Sequence, residues 1–394
     1  MLQQVLAVTL MNLRAVPQRL GASMVIVIGI AGVVGVMVAL LSMAKGFQAT
    51  LNSTGRPDRV IVLRGGANDE LSSVLFREQA TIIKQAPGVR QGIDGRPLAL
   101  AEVYILAGLP RKGQTDPANV VLRGTEPHVL EVRSETKLVE GRMFRPGVYE
   151  VVVGRGARDQ FAGMELGGKL PLRDGDWTIV GFFESGGDVH ESELWTDAET
   201  LMQAAKRGAP TSVTAQLESE QDFDRFKDAL TTDPRLNAGV QKEPDYYSSR
   251  SKALNGLING LGYTVAVIMA IGALFGALNT MYAAVSTRTV EIATLRAIGF
   301  GGAPVVVSVM IEAMLLSLAG GVLGAAIAYV VFNGYSVSTL NFQTFSQVAF
   351  AFQVTPDLLR QGVTWALLIG AIGGFFPALK AARLPVVEAL RGSA

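Results

Sequence analysis

The sequence predicts an α-helical membrane protein with four transmembrane helices and an α+β extracytoplasmic domain inserted between helices 1 and 2. Three observations predict it: four long uncharged stretches, Lys and Arg concentrated on one side of them, and a polar segment, residues 45–252, that mixes strand and helix patterns. Of the 394 residues, 49% are hydrophobic and 18% charged, below the roughly 25% charge of a soluble globular chain. The formal net charge of +1 supplies no bulk attraction for nucleic acid. With no cysteine in the chain, disulfides, thiolate metal sites, a cysteine nucleophile and a lipid-modified cysteine are excluded.

Residues 22–44 are uncharged, and roughly 20 apolar residues cross about 30 Å of hydrocarbon. Ser42-Met43-Ala44 has the form of a signal-peptide cleavage site, but the run exceeds the ~7–15 residues of a signal peptide's apolar region, so an uncleaved anchor is expected. Residues 253–287 form a second uncharged run, about 52 Å long as a single helix. Its first half carries Asn255, Asn259 and Tyr263, so this helix is expected to protrude from the membrane as an extracytoplasmic extension. Residues 303–332 and 361–379 make the third and fourth spans.

Cytoplasmic flanks favour Lys and Arg. Arg14 and Arg19 precede the first span, Arg288 and Arg296 separate the second from the third, and Lys380, Arg383 and Arg391 follow the fourth. Segment 1–21, the loop at 286–299 and the tail 380–394 are therefore expected in the cytoplasm. The domain 45–252 and the short loop 333–360, with Arg360, are expected outside. Small residues let helices approach closely in lipid, and three spans carry a GxxxG: Gly272/Gly276, Gly320/Gly324 and Gly370/Gly374. We expect these six to pack helices within a bundle or a dimer.

In the inserted segment, residues 59–63 read as a strand, 77–85 as a helix stopped by Pro87-Gly88, and 98–106 as a strand. A second such triplet follows at 211–217, 221–230 and 238–242. Two β-α-β units of this kind can complete one layered subdomain. The stretch 119–208 reads as more β-rich, its clearest strands at 149–153 and 177–183. A short helix is expected at 197–206, with Asp197 at its start.

Motifs for chemistry are weak. Residues 163–170 fit G-x-x-x-x-G-K, but Leu170 replaces the Mg²⁺-holding Ser or Thr, and the segment lies in the part expected outside. His190 lies among Glu184, Asp188, Glu191 and Glu193 without the second His of a zincin helix, so a solvated loop and no metal site are expected. His128 receives no role. The expectation is a non-catalytic chain. Glu312 is the one acidic residue of the third apolar run; buried carboxylates in membranes face a polar partner or a functional path, so a functional contact and a structural pairing with a cytoplasmic Arg both stay open.

The most informative stretch is 286–299, S-T-R-T-V-E-I-A-T-L-R-A-I-G. Ile292, Leu295 and Ile298 share an i, i+3, i+6 spacing, Arg288 and Glu291 are placed to pair at i, i+3, and Gly299 is a helix stop. A short amphipathic helix follows, suited to a partner's groove or to lipid headgroups. This stretch, Glu312 in I-E-A-M-L-L followed by Gly320-Gly321, and the closing P-A-L-K-A-A-R-L-P-V-V-E-A-L-R at 377–391 resemble the FtsX-like permease family, which includes MacB-type exporters (type VII ABC transporters).

The resemblance implies a permease subunit with porter-like halves at 50–118 and 209–245 and a sabre-like insertion at 119–208. It implies a bacterial inner-membrane protein that pairs with a second permease copy or a paralogue. ATP and Mg would be bound by a separate pair of cytosolic ATPase subunits, with no cofactor in this chain. The loop helix would then be the coupling helix, with Arg288, Glu291, Ile292, Leu295 and Arg296 as the coupling positions. Function by resemblance is mechanotransmission that exports or extracts an amphiphile, a lipoprotein or a peptide, with a periplasmic adaptor and an outer-membrane protein as further partners. The alternatives are an FtsX-like regulator that signals to a periplasmic partner without transport, and a membrane-tethered enzyme.

Overall fold

The computed structural model describes residues 6, 8–11, 20–114, 116–340 and 346–386, with only the backbone of 22 and 250–255. Arg14, Arg19 and Arg391, invoked for orientation, lie outside the described residues. The chain divides into two compact units, Met1–Lys45 with Leu257–Tyr335 and Phe352–Ala394, and Gly46–Gly256 with Ser336–Ala351.

Four helices among the described residues are long and apolar enough to cross a membrane, at Ser23–Ser53, Gly256–Thr287, Gly302–Phe332 and Pro356–Ala382, and the chain is a multi-pass membrane protein. Helix α1 (Leu20–Asn52) runs past the expected end at 44, because nothing from 45 to 52 breaks it. The helix that carries the second span starts at Glu243 and ends at Thr287, ten residues earlier than the hydropathy boundary at 253. Its 45 residues correspond to about 68 Å. The fourth helix (Pro356–Ala382) begins before 361 because Thr355 caps it, its hydroxyl accepting from the Leu358 amide, with Pro356 in the first turn.

The membrane unit is apolar where its helices meet: Ile30, Val34 and Val38 of α1 pack with Ala277, Ala313, Ala366 and Ile369. Small residues decide how close the backbones come. A Cβ on Gly324 would stand 2.4 Å from the Ala31 carbonyl oxygen, and one on Gly320 2.7 Å from that of Val27. On Gly370 it would meet Ser317 Oγ at 2.1 Å, and on Gly374 the Ala313 Cβ at 2.6 Å. Gly272 and Gly276 differ: a Cβ on either meets nothing within 4 Å. Among the described residues this GxxxG packs no other helix of the chain, which leaves the dimer as the contact expected of it.

The second unit holds a ten-stranded mixed sheet in the order β10-β1-β9-β2-β3-β8-β5-β7-β4, with β6 on β7. The strands are β1 (Arg59–Arg64), β2 (Ala99–Pro110), β3 (Pro117–Thr125), β4 (Lys137–Gly141), β5 (Glu150–Gly154), β6 (Lys169–Leu172), β7 (Gly175–Glu184), β8 (Glu193–Asp197), β9 (Ser212–Gln216) and β10 (Ala238–Lys242). Strands β10, β1, β9 and β2 adjoin, so the two β-α-β triplets share one sheet. Their helices, α2 (Arg77–Lys84) and α6 (Phe223–Thr232), bury Ile83, Phe226 and Leu230 against Val60, Val62 and Val213. Between them, a four-residue helix α3 (Val129–Val132), α4 (Arg155–Gln160) and α5 (Ala198–Ala204) intervene. Asp197 caps α5, its carboxylate accepting from the Thr200 amide at 2.9 Å.

Two expectations fail here. The acidic stretch around His190 is not a solvated loop: a single 3-10 turn (Val189–Ser192) leads into β8, whose every residue is buried, and His190 is fully buried. Glu193 persists inside because Arg123 pairs with it, and Asp188 because Ser185 Oγ, the His190 amide and the His190 ring bond it, while Glu184 and Glu191 stay half-buried. The loop 333–360 is likewise not plain loop. It folds as a hairpin, β11 (Ser336–Leu340) against β12 (Gln347–Ala351), that belongs to the domain unit. Ala349 donates its amide to Ser192 Oγ at 2.8 Å, and the Phe350 ring meets Phe47 edge-on.

Candidate functional site

Helix α7 is the one described above, Glu243–Thr287; α8 (Thr289–Ala297) follows it and leads to α9 (Gly302–Phe332). Local chemistry fixes both ends of α8. Glu291 stands in its first turn and Arg296 in its last, each favoured by the helix dipole. Gly299 adopts φ +102°, which costs a side-chain-bearing residue energy. The Phe300 amide donates to Leu295 O at 3.0 Å and Gly299 to Arg296 O at 3.2 Å. These two bonds make a Schellman ending.

The five expected coupling residues separate by environment. Arg288, the N-cap, is buried: its Nη1 donates to Glu312 Oε2 at 2.9 Å and its Nη2 to Oε1 at 3.4 Å. The expected pairing of Arg288 with Glu291 is therefore corrected, because the Glu312 carboxylate on α9 takes the guanidinium. Of the two roles left open for Glu312, the geometry supplies the structural one. Ile292 is buried against the helix core. Leu295 and Arg296 are half-buried, and Arg296 Nη1 donates to the Leu384 carbonyl at 2.6 Å.

Glu291 alone of the five is exposed. Around it, Val290, Thr294 and Ile298 are also exposed, Ile298 at 69%. The shared apolar face expected for Ile292, Leu295 and Ile298 is thus broken at its last member, because the helix ends at Ala297 and Ile298 turns outward as its C-cap. The resulting element is a short helix pinned at the Arg288 and Arg296 ends, with an open face carrying one carboxylate and two aliphatic side chains. A mixed face of this kind has aliphatics to bury and a carboxylate to pair in a complementary groove. Val290 and Thr294 were missed, and Ile298 was grouped with the wrong neighbours, because periodicity alone does not say which side of a short helix the bundle covers.

Known proteins give independent bearings. Residues 23–233 match the MacB-like periplasmic core domain, and residues 263–386 the FtsX-like permease C-terminal domain. A macrolide export ATP-binding/permease protein MacB of Bdellovibrio bacteriovorus is 26% identical over 406 residues, covering 95% of this chain and 59% of the relative. A MacB of Shewanella oneidensis is 35% identical over 128 residues, 32% of this chain and 18% of the relative. This chain spans a little over half the length of the Bdellovibrio protein. Among solved structures, the periplasmic region of MacB from Actinobacillus actinomycetemcomitans aligns over 51% of this chain and 95% of its own, at 13% identity and a TM-score of 0.38. With the periplasmic-core match extending over more than half of the 394 residues and the permease match over most of the rest, the chain belongs to the MacB/FtsX-like family of ABC transporter permeases.

Proposed function

We propose that the chain is the permease subunit of a bacterial inner-membrane ABC transporter in which α8 is gripped by a cytosolic ATPase dimer. ATP and Mg are bound and ATP is hydrolysed on those subunits. Closure of the dimer displaces α8, and α1 and α7 carry the displacement to the periplasmic domain. The cargo is an amphiphile, lipoprotein or peptide exported or extracted on that side, and the working unit contains two permeases. The similarity to macrolide export ATP-binding/permease proteins supports an amphiphilic cargo.

One observation carries the reading. The open face of Val290, Glu291, Thr294 and Ile298 lies on a helix held at both ends, by Glu312 and by the Leu384 carbonyl. A pinned helix with an unoccupied mixed face passes on a push; a loosely attached one absorbs it. Glu291→Lys tests this. The variant is expected to fold normally, to lose recovery of the cognate ATPase in pull-downs and to lose permease-stimulated ATP turnover. Unchanged assembly and turnover would end the coupling assignment.

A further inference from the structure

The densest buried charge among the described residues lies in the domain unit and plays no part in the function argued above. Its centre is Glu243, the first residue of α7, which is 1% exposed. Glu243 Oε1 accepts from Arg133 Nη1 at 2.7 Å. Oε2 accepts from Arg59 Nε and from the Arg56 amide. Arg59 opens β1, seven residues beyond the end of α1, and also donates to Glu135 and to the Val132 carbonyl. Arg133 continues to Glu102 Oε2 at 3.0 Å. From Glu102 the chain of charges passes to Arg123, and through it to Glu70 and Glu193. Each guanidinium thus lies between carboxylates, from the exit of α1 to the middle strands of the sheet.

The first turn of α7 adds two buried rings. The Glu70 amide donates to the Tyr246 hydroxyl at 3.2 Å, and the Tyr247 hydroxyl lies 3.3 Å from His190 Nε2. The chain leaving α1 crosses directly over this turn. Gly55 has φ +90°, and a Cβ there would stand 2.8 Å from Glu243 Cγ. The Thr54 hydroxyl accepts from the Val189 amide at 3.1 Å.

A buried carboxylate held by two guanidinium groups resists sliding. Any shift that breaks one bond leaves an uncompensated charge away from water, which is far costlier than losing an apolar contact. An apolar seat for α7 would slip under load; this one must move with its surroundings. We propose that Glu243 is the positioning residue through which movement of α7 is passed to the periplasmic domain. This rests on the mechanotransmission reading and adds to it the point of attachment.

The test uses the full chain with its cognate ATPase in nanodiscs. The chain lacks cysteine, so nitroxides attach only at introduced Ile93→Cys in the domain and Val331→Cys on α9, both exposed. A non-hydrolysable ATP analogue is expected to shift the distance between the labels in the otherwise native chain. In Glu243→Gln, ATP turnover is expected within twofold of the native rate, while the shift falls at least threefold. A shift retained in Glu243→Gln, or turnover and shift lost together, overturns the role of Glu243 and leaves mechanotransmission standing. No shift in the native chain overturns mechanotransmission itself. Hydrogen exchange on the unsubstituted protein removes dependence on the variant's folding: amides 246–249, the first in α7 with an intrahelical acceptor, are expected to exchange as slowly as those of β9, and exchange more than tenfold faster would show that α7 frays from the domain and cannot hold it.

Discussion

Arg288 and Glu312 form a buried bidentate pair that joins the residue capping α8 to the first half of α9, with N···O distances of 2.9 and 3.4 Å. The pair converts two residues that the sequence offers as separate signals, a loop arginine and a membrane carboxylate, into one structural link. It sets where α8 begins, and so which of its faces stays open.

Removing one member leaves the other charged and buried. Glu312→Leu is expected to destabilise the chain by about 3–5 kcal/mol, the usual range for breaking a buried ion pair on one side. Arg288→Met together with Glu312→Leu is expected to recover most of that loss, because two apolar side chains fill the site without an orphan charge. Thermal unfolding of the purified chain in detergent measures all three variants. Equal stability of the single and double variants would show that the pair is not coupled.

The glycine contacts make a sharper contrast. Gly324→Ala places a methyl 2.4 Å from the Ala31 carbonyl, so α1 must move away from α9; overpacking of this kind costs roughly 1–3 kcal/mol. Gly272→Ala meets open space and removes a flexible glycine from a helix interior, so its stability is expected unchanged or slightly raised. Thermal unfolding of the two variants side by side checks the difference, and equal loss from both would contradict the helix packing.

How legible was this in the sequence? The four spans and most strands were, because uncharged runs and β-branched runs are local signals. The 286–299 helix was legible to within three residues at its start and two at its end, where Gly299 stops it. The environment of its side chains was not, since Arg288 finds Glu312 across 24 positions. Asp188, His190 and Glu193 look like a wet loop for a related reason. Their partners are remote or unremarkable in sequence: Arg123 for Glu193, Tyr247 for His190, with Ser185 beside Asp188. Buried charge is a tertiary fact, and local polarity points the wrong way when a guanidinium waits elsewhere in the chain.

The same cluster sets an acid limit. Burial alone would raise the Glu102 carboxyl, but Arg133 and Arg123 override it and hold it at about 2. Burial likewise opposes Arg59 and Arg133 at Glu243, which also falls to about 2. An unfolded Glu titrates near 4.3. A carboxyl depressed in the folded state lends stability that is complete above the unfolded value and is lost as pH falls through the folded one. Resistance of the periplasmic domain to urea is thus expected to hold from neutral pH to about 4.5 and to decline from there toward pH 2. Trp177 and Trp195, both buried in this domain, report it by fluorescence. Glu102→Gln should lower stability at neutral pH and flatten the acid slope; an unchanged slope would mean that these carboxyls do not drive the decline.

Exposure, not membership of the 286–299 motif, should decide which substitutions in α8 disturb partner binding directly. Ile298 is 69% exposed and Val290 43%, whereas Ile292 is 7% exposed. Ile298→Asp and Val290→Asp place a charge where the proposed ATPase groove would bury an aliphatic side chain. Each is expected to weaken association at least tenfold, equivalent to about 1.4 kcal/mol, while leaving the unfolding temperature of the isolated permease unchanged. Ile292→Asp puts a charge into the helix core, so it is expected to lower that temperature first and to reduce association only as a consequence. Titrating the ATPase against the permease in nanodiscs, alongside thermal unfolding of the permease alone, separates the two patterns. If Ile298→Asp and Val290→Asp bind like the native chain while remaining folded, the open face of α8 is not where the ATPase sits, and the push must enter the bundle elsewhere.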